Sequence, residues 1–349
     1  MSAAPVPSRP RRPWAEPARP RLRNLLLAVP LFLSTGAASA EGLSGAEATA
    51  FLAQSVCLDG AGAPIPGRLP FEPGCDRRRP ARIEEVLPWR KTDFPDSGAA
   101  LARPQGYMAS DAVVGRLLGR PAIIQTFDIG GGFQGHEFGR FEPDEGGQAA
   151  LLSPRPNGVE AGFVVTQDGG RPGMLQWFLS PACRPGAPPA PAWLAFAGEV
   201  PEGRWAERIA PINIAAAPDA CPRDFGRALT RWRRARIALP MRWHDDPTPR
   251  SLPVETIVSE HYARPEIAAS DHLERFWFAR DLGMVRWERW NNGAFLADTP
   301  ERGRWFARTG RCGPVPFSES PGPGWALVDC RTWTNFSRQG GRVAPWPLP

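Results

Sequence analysis

HLERFWFARDLGMVRWERW, residues 272–290, is the stretch that decides the fold. Two runs of mixed aromatic and charged residues flank Asp281-Leu282-Gly283, which reads as a tight turn with Gly283 supplying a left-handed backbone position. The segment is therefore expected to be a β-hairpin. A three-residue loop sets Trp277 opposite Trp287, but also Arg275 opposite Arg289. A two-residue loop at Asp281-Leu282 instead pairs Arg275 with Glu288 and Glu274 with Arg289, which electrostatics prefers. A one-residue slip exchanges the two faces, so the two registers bury different aromatic residues.

Working outward, short apolar or alternating runs recur between turn residues. Strands are expected at 122–129, 148–152, 160–166, 174–179, 193–197 and 209–215, and again at 236–243, 255–262, 272–280, 284–290 and 325–331. Many short strands and few helices predict an all-β or mainly β chain, a β-sandwich or jelly-roll-like body with two peripheral helices and disulfide-tied loops. The first helix is expected at 44–56, where Ser44 and Glu47 form a capping-box pattern and Ala48, Phe51, Leu52 and Val56 share a face. The second is expected at 222–235, with Phe225, Leu229 and Trp232 on one side and Arg223, Arg227, Arg231, Arg233 and Arg234 over much of the rest. That basic face reads as solvated surface, or as an attraction for anionic polysaccharide or lipid headgroups.

Near the amino terminus, RLRNLLLAVPLFLSTGAASAE (21–41) has the form of an export signal. Arg21 and Arg23 precede an apolar run at 25–33, and Ala38-Ser39-Ala40 is a small-residue cleavage site. The apolar run is about half of the ~20 residues a spanning helix needs, and Pro30 interrupts it. The expected organisation is an extension and signal at 1–40, then a single β-rich domain at 41–349 that is periplasmic or secreted and has no transmembrane segment. Removing 1–40 changes the formal charge from +6 to 36 basic against 35 acidic residues, or +1. That removes the main argument for a nucleic-acid partner, which requires a concentrated positive surface.

Six cysteines remain: Cys57, Cys75, Cys183, Cys221, Cys312 and Cys330. An even number in an exported chain predicts disulfides, and sequential pairing would close three local loops. No CxxC spacing supports a metal site. Gly130, Gly132 and Gly135 satisfy GxGxxG, but HEFGRFEPDEGG does not continue as a helix, so no pyrophosphate site and no cofactor are expected. His136-Glu137 lacks the second histidine of HExxH.

The residues that carry chemistry cluster around the hairpin. Glu260, His261, Tyr262, His272, Glu274 and Glu288 are candidate catalytic groups, since carboxylates beside a tyrosine and a histidine can serve general acid/base chemistry. On strands, Glu260 and Tyr262 project to one side and His261 to the other, whereas His272 and Glu274 share a side. Trp277, Trp287, Trp290 and Arg275 are candidate substrate-binding residues, because aromatic faces stack on apolar sugar faces. The expectation is an exported carbohydrate-active protein, a hydrolase or lyase acting on polysaccharide. The alternatives are a non-enzymatic module that binds glycan or cell envelope, and a disulfide-stabilised structural protein.

Overall fold

The computed structural model describes residues 43–92, 110–117, 120–126, 148–155, 158–165, 167–168, 171–172, 193–214, 223–296 and 315–342. The chain divides into Met1–Ser39, outside the described residues, and Ala40–Pro349, which carries everything below. It is mainly β. Helix α1 (Gly45–Leu52) precedes β1 (Ser55–Cys57), β2 (Arg78–Pro80), β3 (Val86–Leu87) and β4 (Arg90–Thr92). Then come β5 (Asp111–Leu117), β6 (Arg120–Thr126), β7 (Gln148–Arg155), β8 (Gly158–Val165), β9 (Gln167–Asp168), β10 (Arg171–Pro172) and β11 (Trp193–Phe196). The last group is β12 (Ala206–Ile214), β13 (Arg223–Trp243), β14 (Arg250–Tyr262), β15 (His272–Ala279), β16 (Gly283–Asn292), β17 (Trp325–Thr332), β18 (Asn335–Ser337) and β19 (Gly341–Arg342).

The main sheet runs β17-β16-β15-β14-β13-β18-β4, with β12 also paired to β13, and a five-stranded sheet runs β11-β8-β7-β6-β5. Neither sheet closes on itself.

The expected helix at 222–235 is instead the first part of β13, which pairs with β12 along Arg223–Trp232 and with β14 from Thr230 to Met241. Its alternation is that of a strand: Trp232 is buried on one face, while Arg231 and Arg233 lie on the other. Long-range pairing on both edges satisfies the backbone and overrides the local helical spacing. Pro240 and Pro253 fall beyond the reach of β12 and β15, where a missing N–H interrupts no two-sided ladder. The expected strand at 174–179 lies outside the described residues.

The hairpin adopts the charge-complementary register, Arg275 opposite Glu288 and Glu274 opposite Arg289. It does so without a two-residue turn. Ala279 pairs with Gly283 at the tip, and a one-residue bulge near Trp277 and Phe278 restores the pairing that matches the charges. Gly283 has φ +69°, and a Cβ there would lie 2.7 Å from the Ala112 Cβ and 3.1 Å from the Leu52 carbonyl oxygen, so glycine is required for both conformation and space. Helix α1, capped by Ser44 accepting from the Glu47 amide at 3.2 Å, is shorter than expected because the chain turns extended at Ala53 and docks on this tip. Ser55 N donates to the Asp281 carbonyl at 2.8 Å, and Asp281 N donates to Ala50 O at 2.6 Å.

The main sheet has an apolar cluster on each face. Trp232, Ile257, Phe276, Phe278 and Trp287 pack with Phe51 and Leu52 of α1 and Leu194 and Phe196 of β11. On the other side, Val258 and Trp277 pack with Trp89, Leu239, Trp243 and Phe336. A disulfide joins Cys57 and Cys75, as expected, and Cys330 is disulfide-bonded as well. Cys183, Cys221 and Cys312 lie outside the described residues, as do Gly130, Gly132, Gly135 and His136-Glu137.

Candidate functional site

Register determines which candidates meet. Arg231, Glu260, Arg275 and Glu288 are mutual cross-strand partners on β13, β14, β15 and β16, so they form one charged row across the sheet. Signs alternate along the row. Glu260 is bonded by Arg231 Nε and by Arg275, whose Nε lies 2.7 Å from Oε1. Glu288 lies 3.4 Å from Arg275 Nη1 and 2.7 Å from Arg286 Nε. It also accepts from the Trp290 indole at 2.8 Å and Ser318 Oγ at 2.7 Å. Arg286 donates in turn to Thr332 Oγ1 at 2.6 Å.

All four central groups, Glu260, Arg275, Arg286 and Glu288, are buried. Burial alone would raise the Glu260 carboxyl, but Arg275 and Arg231, helped by the Tyr262 hydroxyl at 2.8 Å, hold it below the ordinary carboxylate range. Burial and the Glu260 charge push the Tyr262 phenol well above its usual value, so it remains a donor.

Trp277 and Trp290 belong to the same face, with the Arg275 guanidinium 5.5 Å from one ring and 5.3 Å from the other. The segment carrying Phe317, Ser318 and Glu319 lies over the row: Arg275 Nη1 donates to the Glu319 carbonyl at 2.8 Å, and Phe317 meets Trp277 edge-on at 5.8 Å. Beside this cover opens a cavity of about 60 Å³, lined by Trp205, Arg231, Arg233, Glu260, Arg275, Trp277, Phe317 and Glu319 among others. It has room for a few water molecules or one small ligand group. Trp205 lies against two guanidinium groups, 4.6 Å from Arg231 and 4.5 Å from Arg233.

The other candidates lie elsewhere. His261 and Glu274 are cross-strand partners on the opposite face. There His261 is fully buried, 2.8 Å from Ser259 Oγ and edge-on to Phe276 at 5.2 Å. Burial pushes its imidazole down to about 3, so the ring is neutral. Trp287 belongs to the core on that face rather than to a binding surface. His272 sits at the start of β15 with Nδ1 3.0 Å from Asp271, whose carboxyl that bond lowers. The six catalytic candidates therefore do not converge: Glu260, Tyr262 and Glu288 meet, whereas His261, His272 and Glu274 do not join them.

Sequence reasoning missed Trp205, Arg233, Phe317 and Glu319 as site residues, and it placed Arg231 on a helix. The available signal was the alternation Arg231-Trp232-Arg233, which has period two. Among the described residues, no group of three or more His, Cys, Asp or Glu could hold a metal ion, and no helix is long and apolar enough to cross a membrane. Comparison with protein-family models, curated proteins and solved structures returns no match to this chain.

Proposed function

We propose that this is an exported glycan-binding protein, periplasmic or secreted, that reads its ligand at the Trp205 cleft without cleaving it. The observation that carries this reading is the state of the carboxylates. Glycoside hydrolysis needs one carboxyl able to give up a proton and another free to act as base or nucleophile. Glu260 is held ionised by two arginines, and Glu288 accepts from Arg275, Arg286, Trp290 and Ser318. What the cleft offers a ligand is aromatic surface and guanidinium groups, which suits stacking and hydrogen bonding to a sugar. The signal-like segment at 21–41 and the Cys57–Cys75 disulfide support an oxidising compartment. The same reading treats the packing of β11 on β13 and β14 as a sandwich-type body.

Titrating the mature protein, from Glu41, with a polysaccharide panel while recording tryptophan fluorescence and assaying reducing-end and unsaturated products tests this. Binding without product is expected. Product that disappears in Glu260→Gln would restore the hydrolase or lyase reading, and absence of binding to the whole panel would defeat the glycan reading.

A further inference from the structure

We infer that the strap at 316–320 is a built-in plug that copies a sugar, and that an uncharged, hydroxyl-rich glycan binds by displacing it. This rests on the glycan-binding reading and adds the class of sugar and a means of regulation. The first argument is what the strap places on the charged row. Ser318 Oγ donates to Glu288 Oε2 at 2.7 Å and accepts from Arg275 Nη1 at 3.4 Å. The Glu319 carbonyl accepts from the same Nη1 at 2.8 Å, and Phe317 meets Trp277 edge-on at 5.8 Å. A hydroxyl between carboxylate and guanidinium, a second oxygen on the guanidinium and an apolar group on an indole are what a sugar offers through two hydroxyls and its C–H face. Exchanging the strap for such a ring keeps both buried charges bonded. A uronate would instead set a second carboxylate against Glu288, a like-charge contact that selects against it.

The second argument is how lightly the strap is held. Among the described residues, no backbone-to-backbone bond joins it to a strand; its own such bond runs from Ser318 N to Val315 O at 3.0 Å. The contacts of Phe317, Ser318 and the Glu319 carbonyl fasten it to the row instead, and the Glu319 carboxylate, exposed and 3.9 Å from Arg233, adds little. A segment without a ladder opens at low free energy. Gly322 and Gly324, the latter at φ +83°, lie between the strap and β17, where a change of chain direction is readily absorbed. The third argument is position. Phe317, Glu319 and Ser320 wall the cavity of about 60 Å³ that Trp205 and Trp277 also line. With the strap in place that cavity holds one small group but not a sugar ring. Lifting the strap joins it to the Trp277 face and the Arg275–Glu288 pair.

The test is tryptophan-fluorescence titration of the mature protein, of Phe317→Ala and of Ser318→Ala with dextran, soluble starch, galactomannan and polygalacturonate, together with hydrogen exchange at 315–321. At least one neutral polymer is expected to bind about tenfold more tightly than polygalacturonate. Phe317→Ala should strengthen that binding severalfold, because less of the binding energy goes into opening the strap. Ser318→Ala, which leaves Glu288 bonded to Arg275, Arg286 and Trp290, reads the same effect if Phe317→Ala lowers the urea midpoint. In the unsubstituted protein the ligand should speed exchange at 315–321, which a strap with a purely structural role would not show. Unchanged or weaker binding by both variants would overturn the plug, and so would slower exchange at 315–321 on binding. Polygalacturonate binding as tightly as the neutral polymers, or more tightly, would overturn the uncharged class. Binding of no polymer, by the unsubstituted protein or either variant, would count against the glycan reading itself.

Discussion

Glu260 and His261 are neighbours in sequence and equally buried, yet the two faces of the sheet treat them oppositely. On its face Glu260 meets Arg231 and Arg275 and keeps its charge. On the other, His261 meets Ser259 and Phe276 and loses its charge. Equal burial does not give equal ionisation: the charges and hydrogen bonds that reach Glu260 outweigh its desolvation, whereas desolvation prevails at His261. A charged row across four strands can stay ionised because each member is also a counter-ion, whereas burial holds the His261 imidazole in its neutral form.

The most severe way to break this contrast is Glu260→Gln, which leaves Arg231 and Arg275 buried without their shared partner. The expected loss is about 3–5 kcal/mol in urea unfolding. A loss below about 1 kcal/mol would mean that the row is solvated and the contrast between faces is false.

Lys91, the only lysine in the chain, sharpens the comparison, because it is buried and, among the described residues, no carboxylate is bonded to its ammonium. Its Nζ donates to Met284 O at 2.6 Å and Ser110 Oγ at 3.1 Å, while nearby Asp111 is paired with Arg90. Burial lowers it from 10.5 to about 7, with Asp111 opposing. Between those values the unfolded chain binds the extra proton, so this group makes stability rise as pH increases from 7 toward 10.5. Urea melts from pH 7 to about 9.5 should show a gain on the order of 2–4 kcal/mol that Lys91→Met abolishes. Parallel curves for the two proteins would show that Lys91 keeps its proton.

The smallest effect belongs to His261. Its folded value of about 3 against 6.5 unfolded means that stability is complete above 6.5 and declines as the unfolded chain takes up a proton below it. Glu260 adds to the decline only at lower pH, because its carboxyl is held below 4.5. Acidifying from 6.5 to 4.5 should therefore cost wild type about 2 kcal/mol more than His261→Gln. Equal slopes would show that the buried ring keeps its proton.

The signs of Arg275, Glu288, Glu274 and Arg289 favour the pairing the hairpin adopts, but the loop at Asp281-Leu282-Gly283 is equally compatible with another register, so the residues alone leave both open. The path to that register could not be read, since a bulge two residues from the turn changes count without changing composition. The basic run of β13 misled for a related reason. Leu229 and Trp232 fit a helical face, and the partner that makes Arg231 a strand residue lies 29 positions away on β14. The site was half visible. Glu260, Tyr262, Arg275, Trp277 and Glu288 sit on regular strands where alternation predicts facing, whereas Trp205 and Phe317 reach the cleft from irregular segments whose direction no periodicity encodes.

The docking of α1 and β1 on the hairpin tip bears on the order of events in folding. Ser55 Oγ donates to the Asp281 carboxylate across 226 residues of chain, and the adjoining backbone bonds span the same interval. Contacts so distant in sequence are slow to form, and α1, which also packs on β11, completes its packing only once the hairpin has been synthesised. A chain emerging amino-terminus first therefore keeps the packing of its first helix incomplete through most of its length.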